Sequence, residues 1–412
     1  MRIAFVLNTF PVTTETFIVN QMISLLKDGH EITIFAFRYN KEGVIHQSIY
    51  DNKLMEKVVY WKAPPKNTRK KIQEFFSALS SNDKSLVKLL ATINPFKTGN
   101  KVLSLHYFYQ CQWFLGTQNF DVIHCHFAQP GLFISRLRDA GFLKKERLVT
   151  TFHGYDIDPS MIAKYQEEYK VLFKNMGVCT YNSEYSKKII EQIHPDTTKL
   201  RFLPVGLDID KFTSKKEKLD SNTLRVVFCG RLVPFKGPDI AIRIVHELIK
   251  NNIEIQLTII GEGPLRLQLE EYIAVFNLSE YITLKGAVSQ ETIIETLEHS
   301  DVFLLPGIHD PATGRAENQG LVIQEAQAME VPVLVSNAGG MKYGLLNNET
   351  GFVVQENDVA SFVEKLVWFH THPDQRKRMG KKGREFVKQN YSNDILLKQL
   401  LSLYKNLPDL SN

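Results

Sequence analysis

Leu224-Arg-Val-Val-Phe-Cys229-Gly230-Arg231-Leu-Val-Pro-Phe-Lys236-Gly237 decides how this chain is divided. Its first six residues read as a short apolar strand, and the strand runs straight into a glycine turn. The same rhythm has already occurred earlier in the chain. Ile3–Leu7 and Glu31–Phe37 are β-rich runs separated by an amphipathic helix around Phe17–Leu26, and Asp121–Cys125, Arg147–Phe152 and Gly177–Tyr181 repeat the pattern. Near Phe202-Leu-Pro-Val-Gly206 it stops, and Ser214–Asn222 is polar and charged without apolar periodicity. It restarts at Leu224 and continues through Glu254–Ile260, Tyr281–Leu284, Val302–Leu305 and Val331–Val335. Apolar strands alternating with helices build a parallel sheet covered on both faces. The expectation is therefore α/β, with two doubly wound domains: residues 1–205, a linker at 206–222, and residues 223–389. An amphipathic last helix, about Asn393–Tyr404 within 390–412, is expected to pack back on the first domain.

A chain of 412 residues is long enough for two or three cores. The net charge of +5 is mild for this length and does not by itself indicate nucleic acid. No run approaches the roughly 18 apolar residues of a membrane span. Cys111, Cys125, Cys179 and Cys229 are far apart and show neither metal-ligand nor disulfide-rich spacing. These features together predict a reduced, metal-free, cytoplasmic protein.

In open parallel sheets, ligands bind beyond the carboxyl ends of the strands, so the loops after each strand carry the chemistry. Gly230-Arg231…Lys236-Gly237 supplies a glycine turn and two fixed cations beside a helix start, which suits a diphosphate leaving group. Glu317 and Glu325 stand eight positions apart in Ala-Glu317-Asn-Gln-Gly320-Leu-Val-Ile-Gln-Glu325. That spacing places them about 80° apart on a helix, so Glu317 is expected on a loop and Glu325 in the first helical turns. A helix start beside two carboxylates can hold phosphate on backbone N–H groups and sugar hydroxyls on the acids. His153, in Thr-Phe152-His153-Gly154, ends a first-domain strand and should project into the cleft. Asp156-Ile-Asp158 and Asp208-Ile-Asp210 mimic a metal motif but lack a third ligand, and the second is better read as turn and cap chemistry. Gly261-Glu-Gly263-Pro264 reads as a close strand-to-helix turn rather than a dinucleotide fingerprint.

In this order and spacing the motifs resemble those of the retaining glycosyltransferases of family four, whose GT-B fold is two Rossmann-like domains facing across a cleft. The resemblance covers most of the chain. Cys125-His126-Phe127-Ala-Gln-Pro-Gly131 and the opening Asn8–Phe17 are similar to enzymes of bacterial exopolysaccharide assembly, of the colanic acid and amylovoran type. The resemblance implies a hexosyltransferase that moves a sugar from a UDP- or GDP-linked donor to a hydroxyl of a glycan acceptor, with retention. The implied acceptor is a lipid-linked oligosaccharide of exopolysaccharide, capsule or O-antigen synthesis, and no cofactor or metal is implied. Arg231 and Lys236 would bind the donor diphosphate, with the amides of Gly320, Leu321 and Val322 also meeting phosphate. Glu325 would hold the ribose, while Glu317 and His153 would contact the donor sugar. Relatives carry a glycine-rich loop after the first strand, whereas Thr9–Thr16 has no glycine; Thr14, Glu15 and Thr16 are the candidate side-chain contacts there. The segment His309–Arg315 is also unlike the commoner versions, and donor choice is expected to reside in it.

Residues 61–109 interrupt the strand–helix rhythm with nine lysines and arginines, from Lys62 to Lys101, interleaved with aromatic and aliphatic residues. Two readings stand: a basic amphipathic helix pair lying on an anionic membrane, with the protein peripheral at the inner face, or an ordinary solvated pair packed on its own domain. A sugar-nucleotide epimerase of similar fold and a non-catalytic carbohydrate-binding relative are the alternative functions. An epimerase would need further acid–base carboxylates, and a relic would be expected to have lost Glu317, Arg231 or Lys236.

Overall fold

A computed structural model describes residues 1–12, 15–40, 45–80, 105–113, 119–214 and 221–407. Thirteen strands among these residues form two sheets. The first contains β1 (Arg2–Phe10), β2 (Glu31–Tyr39), β3 (Val58–Tyr60), β4 (Val122–His126), β5 (Arg147–Thr151), β6 (Val178–Tyr181) and β7 (Leu200–Phe202), in the order β3-β2-β1-β4-β5-β6-β7. The second contains β8 (Leu224–Cys229), β9 (Ile255–Ile260), β10 (Ile282–Gly286), β11 (Val302–Leu305), β12 (Val333–Ser336) and β13 (Gly351–Val354), ordered β10-β9-β8-β11-β12-β13. Every pairing is parallel. The order reverses beside β1 in one sheet and beside β8 in the other, and these are the switch points where crevices open. Two doubly wound sheets are thus present, as the strand rhythm predicted.

The central strands are apolar because both of their faces are covered. Ile3 to Val6 and Val302 to Leu305 are wholly buried. Three short strands escape sequence reading. β3 and β7 have three residues each and lie at sheet edges, and β13 is a four-residue edge strand that begins with glycine. Runs this short carry too little periodicity to stand out.

The chain leaves the first sheet after β7 and enters the second at β8. It returns at its end. Leu207 donates its amide to Tyr391 at 2.8 Å and accepts from Asn393 at 3.0 Å, which aligns the outgoing and returning segments. The helix Asn393–Lys405 then lies in the first sheet's core through Leu400 and Tyr404. There the Tyr404 hydroxyl meets His124 Nδ1 at 2.6 Å, both groups being buried.

Of the basic stretch 61–109, residues 81–104 lie outside the described residues. The helix Thr68–Ser80 buries Phe75 against Phe108, ring centroids 5.1 Å apart, while Ile72 and Phe76 remain 46% and 62% exposed. This helix therefore has one apolar side packed on its own chain and another turned outward.

Replacing Tyr404 with Phe leaves a buried imidazole nitrogen without its partner, a loss of about 1–3 kcal/mol. The expected outcome is a lower thermal unfolding midpoint for the ligand-free protein, measured by circular dichroism.

Candidate functional site

The carboxyl ends of the two sheets face each other across an open cleft of about 600 Å³, within the usual range for ligand sites. Its lining includes Glu15, Thr16, His153, Arg231, Lys236, Glu317, Gly320, Leu321, Val322 and Glu325. Every described candidate from the sequence is therefore brought together. Thr14 lies outside the described residues.

One wall is built from the second sheet. The chain turns sharply after β8 because Gly261 lets the next loop press against it: a Cβ at Gly261 would lie 1.9 Å from the Gly230 carbonyl oxygen, and its φ of +139° is itself a glycine conformation. The Gly261–Gly263 turn thus buttresses the Arg231 loop, and Leu232 donates its amide to the Glu262 carbonyl at 2.9 Å. Behind that loop Lys236 stands with its ammonium 2.5 Å from a Glu317 carboxylate oxygen, both side chains 14% exposed.

Glu317 lies on a loop, as expected, and the helix Leu321–Ala328 follows it, capped by Gly320 at φ +70°. The first amides of a helix have no partner within it. Those of Gly320, Leu321 and Val322 hydrogen-bond to none of the described backbone groups, and all three residues line the cleft. Glu325, one turn further on, points back toward the same space. Burial pushes its carboxyl up to about 7, with Lys236 pulling the other way. The loop's path requires Gly340, since a Cβ there would lie 1.5 Å from the Asn318 carbonyl oxygen.

Side-chain hydrogen bonds sew this wall to the first sheet. Ser183 Oγ donates to Asn318 Oδ1 at 2.5 Å, and Asn318 Nδ2 donates to Asn182 Oδ1 at 2.6 Å. Gln319 bonds both backbone groups of Val205, at 2.7 and 3.0 Å, and Tyr185 donates to the Gly314 carbonyl at 3.2 Å. Sequence reading missed Asn318 and Gln319. Amides beside a glutamate carry no pattern, and their partners are more than a hundred residues away.

The opposite wall holds His153, Glu15 and Thr16. His153 is packed between Phe17 and Phe127, ring centroids 4.9 and 4.7 Å away, and burial lowers its imidazole to about 3, so it is neutral. Burial also raises Glu15 to about 7. Asp156, considered above as part of a metal-like motif, is already committed. Its buried carboxylate accepts from the amides of His153 and Gly154, both at 3.0 Å, and from Ala128 at the start of the helix Ala128–Asp139, at 2.8 Å. It organises the His153 loop. Asp158 caps the next turn through Ser160, and the Arg315 guanidinium lies 3.7 Å from it. Asp208 and Asp210 line a separate surface hollow with Lys27 and Lys211 rather than the cleft.

The segment preceding Glu317 folds into a compact turn, with Asp310 and Arg315 joined through their backbones at 2.7 Å. It delivers Arg315 to the cleft mouth, over the rings of Tyr155 and Phe235 at 5.3 and 5.8 Å. Arg231 reaches the same Tyr155, whose hydroxyl lies 3.2 Å from Nη1.

Comparison with known proteins covers nearly the whole chain. The family described as Glycosyltransferase Family 4 matches residues 14–211, and Glycosyl transferases group 1 matches residues 210–386. Over 409 residues the chain is 24% identical to a putative colanic acid biosynthesis glycosyltransferase of Salmonella typhimurium, covering 99% of this chain and 100% of that one. It is 28% identical over 272 residues to a UDP-Gal:alpha-D-GlcNAc-diphosphoundecaprenol alpha-1,3-galactosyltransferase of Escherichia coli, covering 61% of this chain and 67% of that one. A crystal structure of Anabaena HepE in complex with UDP superposes with a TM-score of 0.71 at 15% identity, over 99% of this chain and 100% of that one.

Glu325 yields a signed pH prediction. Its native value near 7 lies above the ordinary 4.5, so its cost is absent below about pH 4.5 and fully present above about pH 7, amounting to roughly 3 kcal/mol. Glu325→Gln should therefore melt higher than the parent near pH 8 and alike near pH 4.5, by differential scanning calorimetry. A uniform offset at both pH values would contradict the burial of this charge.

Proposed function

We propose, for a chain that belongs to the family 4 and group 1 glycosyltransferases and has their GT-B fold, that it is a retaining, metal-independent hexosyltransferase acting on a UDP- or GDP-linked sugar. One observation carries the reading: two cations, the open first turn of a helix and two carboxylates converge on one wall of the cleft, with a neutral histidine opposite.

The division of labour follows from charge. A nucleoside diphosphate leaving group gathers negative charge on its β-phosphate as the glycosidic bond breaks. Arg231 and Lys236, with the amides of Gly320, Leu321 and Val322, offset that charge, and so do the work a divalent cation performs elsewhere. Glu325 accepts from ribose hydroxyls at the base of the wall. Lys236 and Glu317 neutralise each other across their ion pair. When diphosphate draws Lys236 away, Glu317 is left to accept from sugar hydroxyls near the reacting carbon. His153 contacts the sugar from the other side. Glu15 and Thr16 lie on the acceptor's side of the cleft. Transfer with retention then proceeds by front-side attack, the departing phosphate taking the acceptor proton.

The acceptor is a lipid-linked glycan of surface-polysaccharide assembly. The name of the galactosyltransferase relative includes a diphosphoundecaprenol acceptor, and the Salmonella relative is named for colanic acid. The outward apolar side of the helix Thr68–Ser80, with Lys66, Arg69 and Lys70 exposed beside it, offers the surface for peripheral contact with an anionic membrane. Among the described residues no helix is long and apolar enough to cross a membrane.

Three results are expected. A thermal-shift screen of UDP- and GDP-sugars identifies the donor, and Lys236→Ala and Arg231→Ala each lower kcat/KM for it by about 100–1,000-fold. Proton NMR of the nascent product shows the donor's own anomeric configuration, with turnover undiminished by EDTA. Inversion, or full activity in the double variant, would defeat the reading. In low salt the protein cosediments with phosphatidylglycerol vesicles, and reversing Arg69, Lys70 and Lys71 to Glu releases it.

A further inference from the structure

Glu317 and His153 line opposite walls of the cleft, and each is followed in the chain by a residue that abuts the other wall. Asn318 follows Glu317, and Gly154 follows His153. Gly154, at φ +110°, leaves open a space that a side chain would fill. A Cβ there would lie 3.3 Å from Asn318 Nδ2 and 3.5 Å from Asn318 Cβ. The two loops therefore meet one residue beyond the two side chains that line the cleft.

Both sides of this contact are backed by fixed structure. In the first domain, the buried Asp156 carboxylate holds the amides of His153 and Gly154, each at 3.0 Å. Asn182 and Ser183 continue from β6 and are buried. Ser183 also caps the helix Glu184–Ile193, its Oγ accepting from the Ser186 amide at 3.1 Å. In the second domain, Gly340 donates its amide to the Glu317 carbonyl at 2.8 Å and runs so close to the Asn318 carbonyl that no side chain fits. Between these supports the Asn318 side chain is a short spacer. Its Oδ1 accepts from Ser183 at 2.5 Å and its Nδ2 donates to Asn182 at 2.6 Å, while its backbone amide donates to Glu317 Oε1 at 3.2 Å. A displacement of Asn318 is thus passed directly to the Glu317 carboxylate. Arg231, Lys236, Glu325 and the amides of Gly320, Leu321 and Val322 all belong to the second domain, so they can hold a nucleoside diphosphate without the opposite wall.

We propose that Asn318 is a positioning residue: inserted against Asn182, Ser183 and Gly154, it sets the separation of Glu317 from His153 across the cleft. Its consequence rests on the glycosyltransferase reading, in which these two side chains contact the donor sugar from opposite sides. Asn318 then governs where the reacting carbon of the sugar sits, and hence kcat. Nucleotide affinity is governed by the second domain alone. Reacting groups misplaced by about 1 Å lose on the order of 100-fold in rate, so a spacer at this point acts strongly without touching the donor.

Spin labels at Lys188→Cys and Glu271→Cys, an exposed helical position in each domain, report the docking directly, because all four native cysteines are buried. Double electron–electron resonance on the full chain should give a narrow distance distribution, and Asn318→Ala should broaden it. An unchanged distribution overturns the proposal. Titration calorimetry with UDP and with GDP should give Asn318→Ala the same Kd as the parent. With the donor found by the screen, its kcat should fall about 10–100-fold. A weakened Kd at unchanged kcat would make Asn318 a donor-binding residue and overturn the spacer role. Asn182→Ala should reproduce the broadening and the fall in kcat. The double variant should be no worse than Asn318→Ala, as expected of two residues acting through one contact, and additive losses would contradict that. The distance measurement needs no donor, so failure of the spacer and failure of the transferase reading are distinguishable.

Discussion

All thirteen described strands run parallel to their sheet neighbours, and that constraint organises the molecule. A parallel strand must be followed by a crossover, so each loop that leaves a strand's carboxyl end emerges on the same edge of its sheet. Setting two such edges face to face gathers loops from residues 15, 153, 231, 317 and 325 into one cleft. None of these side chains needs to be near another in sequence. The cost is that an edge rich in loop backbone must be held without regular pairing, and the structure meets that cost with side-chain hydrogen bonds. Asp156 holds the His153 loop by three amides, while Asn318 and Gln319 tie the glutamate loop to Asn182, Ser183 and Val205.

Charge in the cleft is balanced by contacts within the protein. Lys236 and Glu317 satisfy each other, and Arg231 rests on the Tyr155 hydroxyl. Glu325 and Glu15 are held above the ordinary carboxylate range by burial.

Much of this was legible in the residues. The long central strands announced themselves because they are apolar on both faces, and β8 and β11 fall on the predicted residues. Arg231, Lys236, Glu317 and Glu325 were recognisable because cations after a glycine turn and acids around a helix start have few other uses. The short edge strands β3, β7 and β13 were not visible, for want of length. Asp156 drew notice only for a metal-like spacing that lacked a third ligand, and its actual job was hidden: its carboxylate is consumed by backbone amides. His126 was quoted within a motif, but its contact with His153, 2.9 Å from ring nitrogen to ring nitrogen, was not visible there.

The sequence alone determined the fold class, the two-sheet division and most of the side chains that gather in the cleft, since periodicity and local turn chemistry are properties of neighbours along the chain. Only the tertiary structure decided which groups face one another. It set Lys236 against Glu317, put Gln21 and His126 around one cavity, and closed the first core with Tyr404, a residue 280 positions from its partner His124. Hydrogen bonds and desolvation act across a few ångströms of space whatever the separation in sequence. Their consequences, from the neutral histidines to the raised glutamates, therefore exist only once the chain has folded.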